Sequence, residues 1–338
     1  MPEVKDKFSV VVPVLNAKNH LRPCLDSILA AMERYGNSEL IVLDNGSDDG
    51  SYEILLNEYG SRARIQQVRG VPVGALRNRG AALAEDEFVV FIDSDCVTVP
   101  YYFEQALSVL KETGADATGS EYALREDSHW IEQTWYRVHT PTHDGPVKFI
   151  PSGNLVVRRQ AFLSIGGFDE KMISCEDMEL GARLNKAGFK VFQSHSLRTF
   201  HLGGDRSLRV FFLKSAWRTM GMFGMFKHNP LFKPVLTLVT HILLCMLAVA
   251  NLFNPHLTLI MRFALFVLLV NLAPVLAILY RVRQLRRLYS PAKSLLLYHV
   301  YFLAQAYGLW RAIISLGKSA ETKHARSARL HGSARSQP

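Results

Sequence analysis

Short apolar runs and helical segments alternate through the first 200 residues, and this alternation limits the possible folds more than any other feature of the chain. Residues 8–12 read as a first strand. Residues 21–35 follow as a helix, with Leu25, Ile28, Leu29 and Met32 at helical spacing. Residues 39–43 make a second strand, 63–68 a short third, 73–84 a helix and 87–92 a fourth strand. Strands that alternate with helices predict an α/β fold built on a doubly wound, mainly parallel sheet.

The pattern breaks near residue 230, where long apolar stretches separated by basic loops begin. Residues 235–253 contain no Asp, Glu, Lys or Arg, and 263–280 are also uncharged. About 20 apolar residues cross a bilayer core, so both predict transmembrane helices. Residues 295–316 are interrupted by His299, Gln305 and Arg311 and are expected to be interfacial or re-entrant. The formal charge of +9 has local sources: Arg281, Arg283, Arg286, Arg287 and Lys293 in one loop, and the Lys and Arg of a tail over 317–338 expected to be disordered. Beside membrane spans such clusters follow the positive-inside rule, which displaces nucleic acid as their partner. Residues 206–233 mix Phe, Met and Trp with Arg and Lys, and predict an amphipathic segment on the membrane surface. The polar N-terminus carries no secretory signal pattern. Cys24, Cys96, Cys175 and Cys245 lack CxxC spacing, which fits a reducing compartment and argues against a zinc site or a disulfide framework.

Parallel strands deliver their C-terminal ends to one edge of the sheet, where open α/β folds bind ligands. The first strand delivers Pro13 to Asn16, the second Asp44, and the fourth Asp93-Ser94-Asp95. Two carboxylates at i and i+2 on stiff backbone suit a hard divalent cation, and the cation suits a diphosphate. Asp44 is placed to accept hydrogen bonds from a base or ribose, or to cap its own turn. Arg77 follows the Gly70–Gly74 loop and is able to face a base or a phosphate. Neither GxGxxG after the first strand nor GxxxxGK[ST] occurs, against dinucleotide redox chemistry and against a P-loop. Downstream lie Ser152-Gly153-Asn154, then Gly166-Gly167-Phe168-Asp169-Glu170, then Cys175-Glu176-Asp177 opening a helix. Acids in a first helical turn also complement the helix dipole.

Taken together, Val-Pro-Val-Leu-Asn at 12–16, Asp-Asn-Gly-Ser-Asp-Asp-Gly-Ser at 44–51, Leu-Arg-Asn-Arg-Gly at 76–80, Phe-Ile-Asp-Ser-Asp-Cys at 91–96, Ser-Gly-Asn at 152–154, Gly-Gly-Phe-Asp-Glu at 166–170 and Cys-Glu-Asp-Met-Glu-Leu at 175–180 resemble the family 2 glycosyltransferases of the GT-A fold. The resemblance covers about residues 8–205. It implies inverting transfer from a nucleotide-diphosphate sugar, UDP-linked by preference, with Mg²⁺ or Mn²⁺. It also implies that Pro13, Asn16, Asp44, Arg77, Asp93 and Ser94 bind the donor and that Asp93, Asp95 and His201 hold the metal. Asp177, with Glu176, is the catalytic base by the same resemblance, and Ser152, Gly153 and Asn154 line the sugar region.

An inverting transfer is one in-line displacement at the anomeric carbon. It needs a base for the acceptor hydroxyl and charge neutralisation where diphosphate leaves. The expected organisation is a glycosyltransferase domain over 1–205, an interfacial segment over 206–233 and a membrane region over 234–316. The expected protein is multi-pass in the cytoplasmic membrane, with its catalytic domain in the cytoplasm. Its expected acceptor is a lipid-linked saccharide for surface polysaccharide or glycolipid, and its other partners are membrane lipids, not nucleic acid. The alternatives are a polyprenyl-phosphate sugar synthase and a catalytically silent membrane scaffold.

Overall fold

The first strand, β1 (Phe8–Val14), is buried along its whole length, so both of its faces must be covered. The computed structural model, which describes residues 6–36, 38–141, 143–226 and 233–315, covers them with helices. The elements that follow are α1 (Lys18–Tyr35), β2 (Ser38–Asp44), α2 (Ser51–Ile54) with a π-helical turn at Leu55–Tyr59, β3 (Arg64–Gln67), α3 (Val73–Leu83), β4 (Phe88–Ile92), β5 (Cys96–Thr98), α4 (Tyr102–Thr113) and β6 (Ala117–Gly119). Then come α5 (Trp130–His139), β7 (Gly145–Pro146), β8 (Asn154–Arg158), α6 (Arg159–Ser164), α7 (Glu176–Lys186), β9 (Val191–Gln193) and β10 (Thr199–His201). Four helices end the described chain: α8 (Leu208–Phe226), α9 (Lys233–Leu252), α10 (Leu259–Leu285) and α11 (Pro291–Ser315).

The main sheet runs β3-β2-β1-β4-β8-β6-β9-β7. The first four strands are mutually parallel, while β8 is antiparallel to both β4 and β6. Period-2 alternation sorts the β1 side chains. Val10, Val12 and Val14 pack with Leu21, Leu25 and Ile28 of α1 on one face. Val11 packs with Ile41, Leu43, Leu76 of α3 and Phe162 of α6 on the other. The observed elements stand where these strands and helices are expected, with α1 starting at Lys18 instead of residue 21, β1 and β2 longer by one to two residues at their ends, and β3 and β4 slightly shorter.

The antiparallel strand has a consequence for function. It brings its N-terminal end to the edge where β1, β2 and β4 end, with Ile92 opposite Asn154. A separate two-stranded ribbon pairs β5 with β10 and sets His201 opposite Cys96, next to Asp95. Pro13 falls beyond the last β1–β4 pair, Val11 with Phe91, so its missing N–H leaves that ladder intact.

The described residues fall into two compact units, one within Met1–Glu126 and Thr142–Gly204, the other within Asp127–Pro141 and Asp205–Ser319. Within the second, α9 and α10 provide apolar stretches, Val235–Leu252 and Leu259–Leu285, long and apolar enough to cross a membrane. Most of their large side chains are exposed, among them Leu243, Met246, Leu259, Ile260 and Phe263, which a soluble core helix would bury. The helix α11 is continuous through 25 residues. It crosses α8 closely at Gly308, where an added Cβ would lie 2.4 Å from the Ala216 carbonyl oxygen. Phe211 of α8 is fully buried with Ile131 and Leu297, so the expected amphipathic segment is in part packed against protein. Its residues 227–232 and the 317–338 tail lie outside the described residues.

Gly80 permits the close approach of α3 to β1, since a Cβ there would lie 2.3 Å from Val11 Cγ1. Alanine is favoured over glycine in a helix by about 1 kcal/mol, and overpacking typically costs about 1–3 kcal/mol. Gly80→Ala is therefore expected to lower the Tm in thermal unfolding, and an equal or higher Tm would show that the contact is not limiting.

Candidate active site

Order at the sheet edge begins with a loop that binds itself. Asn16, at φ 51°, occupies the left-handed region that asparagine tolerates. Its backbone N–H donates to Ser47 Oγ at 3.0 Å, and its Oδ1 accepts the Asp48 N–H at 3.0 Å. Asp44 is fully buried. It accepts the N–H groups of Gly46 (2.9 Å) and Ser47 (3.0 Å), the Ser47 hydroxyl, and Gln67 Nε2 at 3.0 Å. These four donors approach the capacity of a carboxylate, so Asp44 caps its turn here.

Arg77 is buried on α3 and forks between two acids. Its Nη2 donates to Asp93 Oδ1 at 2.6 Å and its Nη1 to Glu176 Oε1 at 2.7 Å. The sequence suggested a base or phosphate contact for Arg77, and in the structure its guanidinium joins the end of β4 to the start of α7. Ser152 Oγ also donates to Glu176 Oε1 at 3.2 Å. The second Asp93 oxygen accepts the Tyr122 hydroxyl at 3.2 Å, and the Tyr122 ring lies 5.1 Å from that of His201. No motif or periodicity marks Tyr122, because its segment reaches β10 through tertiary contacts such as the Ala123–Phe200 bridge.

Asp95 is buried with Oδ2 3.3 Å from His201 Nε2, and Ser94 between the two aspartates is buried as well. Glycines crowd this group. A Cβ on Gly153 would lie 2.3 Å from both Asp93 Oδ2 and the Tyr122 hydroxyl, and one on Gly203 would lie 3.0 Å from Asp95 Oδ2. Among the described residues no three His, Cys, Asp or Glu side chains converge as a complete ligand set. Asp95 with His201 still fits a hard divalent cation that takes its remaining oxygens from a substrate diphosphate and water. Asn154 is committed elsewhere: its Oδ1 accepts the Tyr102 hydroxyl at 2.7 Å, and its Nδ2 donates to Ser120 Oγ at 2.9 Å and the Leu197 carbonyl at 2.8 Å. Thus it anchors the N-terminal end of β8 while its neighbours Ser152 and Gly153 reach the acids.

Glu176 and Asp177 open α7 after Cys175, held at φ 62° in the left-handed region. The Asp177 Oδ1 accepts the Met178 N–H at 2.7 Å. Burial, reinforced by the charge of Glu176, pushes the Asp177 carboxyl up to about 7 against the opposing pull of Met178 and Arg77. The helix N-terminus would favour a charged acid, and burial outweighs it. A carboxyl that changes charge near neutrality is suited to exchange a proton with a substrate hydroxyl.

A family model described as Glycosyl transferase family 2 matches residues 9–165, and one described as Glycosyl transferase family group 2 matches residues 88–303. Glycosyltransferase AglE of Haloferax volcanii is 24% identical over 200 residues, which cover 57% of this chain and 66% of that protein. Succinoglycan biosynthesis protein ExoA of Rhizobium meliloti is 24% identical over 198 residues, covering 55% and 60%. Glycosyltransferase GlyA of Streptococcus pneumoniae is 36% identical over 126 residues, covering 36% and 18%. The chain therefore spans less than two thirds of the length of each of these three relatives. Among solved structures, TarS 1-349 of S. aureus has 17% sequence identity and a TM-score of 0.48, over 89% of this chain and 92% of that one.

The raised Asp177 carboxyl has a signed effect on stability. With its folded value above the unfolded one, its contribution is complete below about pH 4 and is lost as pH rises through about 7. Asp177→Asn removes that loss. Its Tm advantage over the wild type is expected to grow between pH 5 and pH 8, and an advantage that stays constant or shrinks would contradict the raised Asp177 carboxyl.

Proposed function

Because this chain belongs to glycosyl transferase family group 2, we propose that it is an inverting, metal-dependent glycosyltransferase. It moves a sugar from a nucleotide-diphosphate donor, UDP-linked by preference, to a lipid-linked saccharide at the cytoplasmic membrane face, for surface polysaccharide or glycolipid. The observation that carries the reading is the Arg77 fork, which ties Asp93 of the Asp-Ser-Asp motif to Glu176 of the Glu-Asp motif at one sheet edge. A displacement needs its base and its leaving-group stabiliser on opposite sides of one carbon, and motifs 80 residues apart serve that need only when the fold joins them.

In this reading Asp177 takes the acceptor hydroxyl proton as the acceptor oxygen attacks the anomeric carbon. Its raised pKa makes it a strong enough base without leaving it permanently protonated near neutrality. Arg77 fixes Asp93 and Glu176, Ser152 orients Glu176, and Tyr122 orients Asp93. Asp95, His201 and Asp93 would hold Mg²⁺ or Mn²⁺, which when bound neutralises charge on the departing diphosphate. The exposed apolar surfaces of α9 and α10 support membrane anchoring. Two crossings return the chain to its starting side, and the basic residues from Arg281 to Lys293 support a cytoplasmic position for that side.

Nucleotide release and donor binding separate the two acids. Asp95→Ala is expected to lose about 10²–10³ in turnover together with metal-dependent donor binding. Asp177→Asn is expected to lose about 10²–10⁴ in turnover with donor affinity nearly unchanged. Full activity of Asp95→Ala in EDTA, or normal turnover of Asp177→Asn, would reject the respective role.

Topology is read by cysteine labelling in intact cells. A cysteine in place of His256, between α9 and α10, is expected to react with a membrane-impermeant maleimide, whereas one in place of Arg286 is not. The reverse pattern would invert the orientation.

A further inference from the structure

Between Asp205 and Glu321 the chain has no acidic residue, while it carries 14 Lys and Arg. The segment Asp127–Pro141, which joins the same compact unit, adds only Asp127 and Glu132. Lys214 pairs with Asp205 at 3.2 Å. Among the described residues, Arg137, Arg281, Arg287 and Lys293 have no carboxylate partner; the three arginines stand at the last turn of α5 and Lys293 over its first residue, Trp130.

Their placement is built rather than loose. Arg137 in the last turn of α5 stacks over Tyr289, 4.8 Å from the ring centre. The Arg287 Nη2 donates to the Thr140 carbonyl at 2.8 Å, while its buried Nε has no hydrogen-bond partner. Desolvation of the half-buried His139, with Arg281 close by, keeps that imidazole neutral, and His139 Nε2 lies 3.3 Å from the Tyr298 hydroxyl. Lys293 sits over the Trp130 ring at 5.6 Å. Stacking and backbone capping fix the guanidinium planes, which lowers the entropy lost when they grip an anion. Tyr289 lies under Arg137, Trp130 under Lys293, and Trp135 and Tyr298 against His139, all aromatic types that favour the membrane–water boundary. Arg281 also lies near the end of α10, whose apolar stretch is long enough to cross the membrane.

We propose that Arg137, Arg281, Arg287 and Lys293 form a binding site for the diphosphate of a lipid carrier, which holds the saccharide acceptor at the membrane surface. This rests on the lipid-linked acceptor of the proposed function. The charge count selects the occupant: a common anionic phospholipid brings one negative charge to the cluster, whereas a diphosphate brings at least two and offers several oxygens to the arginine forks. One helix C-terminus absorbs only about half a charge, so the end of α5 leaves the cluster strongly positive.

The test uses the full-length protein in neutral detergent with farnesyl diphosphate as probe. Wild type is expected to bind it, and Arg137→Gln/Arg281→Gln at least tenfold more weakly. Arg137→Lys/Arg281→Lys is expected to recover binding, which separates lost charge from misfolding. Phosphatidylglycerol vesicles are expected to bind wild type and the Gln variant alike. Equal binding of farnesyl diphosphate by wild type and the Gln variant would overturn the site. An equal loss toward phosphatidylglycerol vesicles would make it a general anionic-lipid surface, and inorganic diphosphate binding as tightly as the farnesyl ester would remove the lipid. Either result overturns the proposal. If wild type ignores the farnesyl ester but glycosylates a soluble saccharide, the lipid-linked acceptor itself fails, a result distinct from failure of the cluster.

Discussion

One buried guanidinium organises the candidate site. Arg77 sits between Asp93 at the end of β4 and Glu176 at the start of α7, with little access to water. A buried cation is tolerated only when its charge is met, and removing one member of such a group typically costs about 3–5 kcal/mol. The group therefore clamps the end of β4 to the first turn of α7. Asp177 feels the consequence: desolvation, reinforced by the adjacent Glu176 carboxylate and only partly opposed by Arg77, raises its carboxyl well above the ordinary carboxylate range. Structure and reactivity arise here from the same charges.

The rest of the edge depends on two departures from a purely parallel sheet. Strand β8 runs antiparallel to β4 and offers its N-terminal end, which carries Ser152 and Gly153 to the acids. The ribbon of β5 with β10 sets His201 against Asp95, so a histidine more than 100 residues downstream meets the aspartate pair. Glycines at 153 and 203 keep the space between these groups clear of side chains, where even a methyl group would collide.

The helical unit follows a different logic. Its long helices expose apolar side chains that water would not tolerate in such number. Between Asp205 and Glu321 its sequence carries 14 Lys and Arg and no acidic residue. An apolar exterior and an uncompensated positive charge both find their complement in a membrane, whose interior is apolar and whose lipids carry phosphate.

Much of the molecule was legible in the sequence because local rules govern it. Period-2 and period-3.6 patterning located the strands and helices of the α/β sheet, and continuous apolar length marked α9 and α10. Spaced acidic and glycine motifs identified the family. The partners of individual side chains were not legible, because they depend on which chain ends the fold brings together. Asp44 bonds its own turn and Gln67, and Asn154 bonds Tyr102, Ser120 and Leu197. Tyr122 carries no sequence signal at all. The sequence by itself determined the class of fold and the family, since these follow from composition and spacing along one chain. Only the tertiary structure decided that Arg77 bridges two acids, and that burial with the neighbouring Glu176 raises the Asp177 carboxyl. Burial and opposing charge arise when segments distant in sequence meet in space.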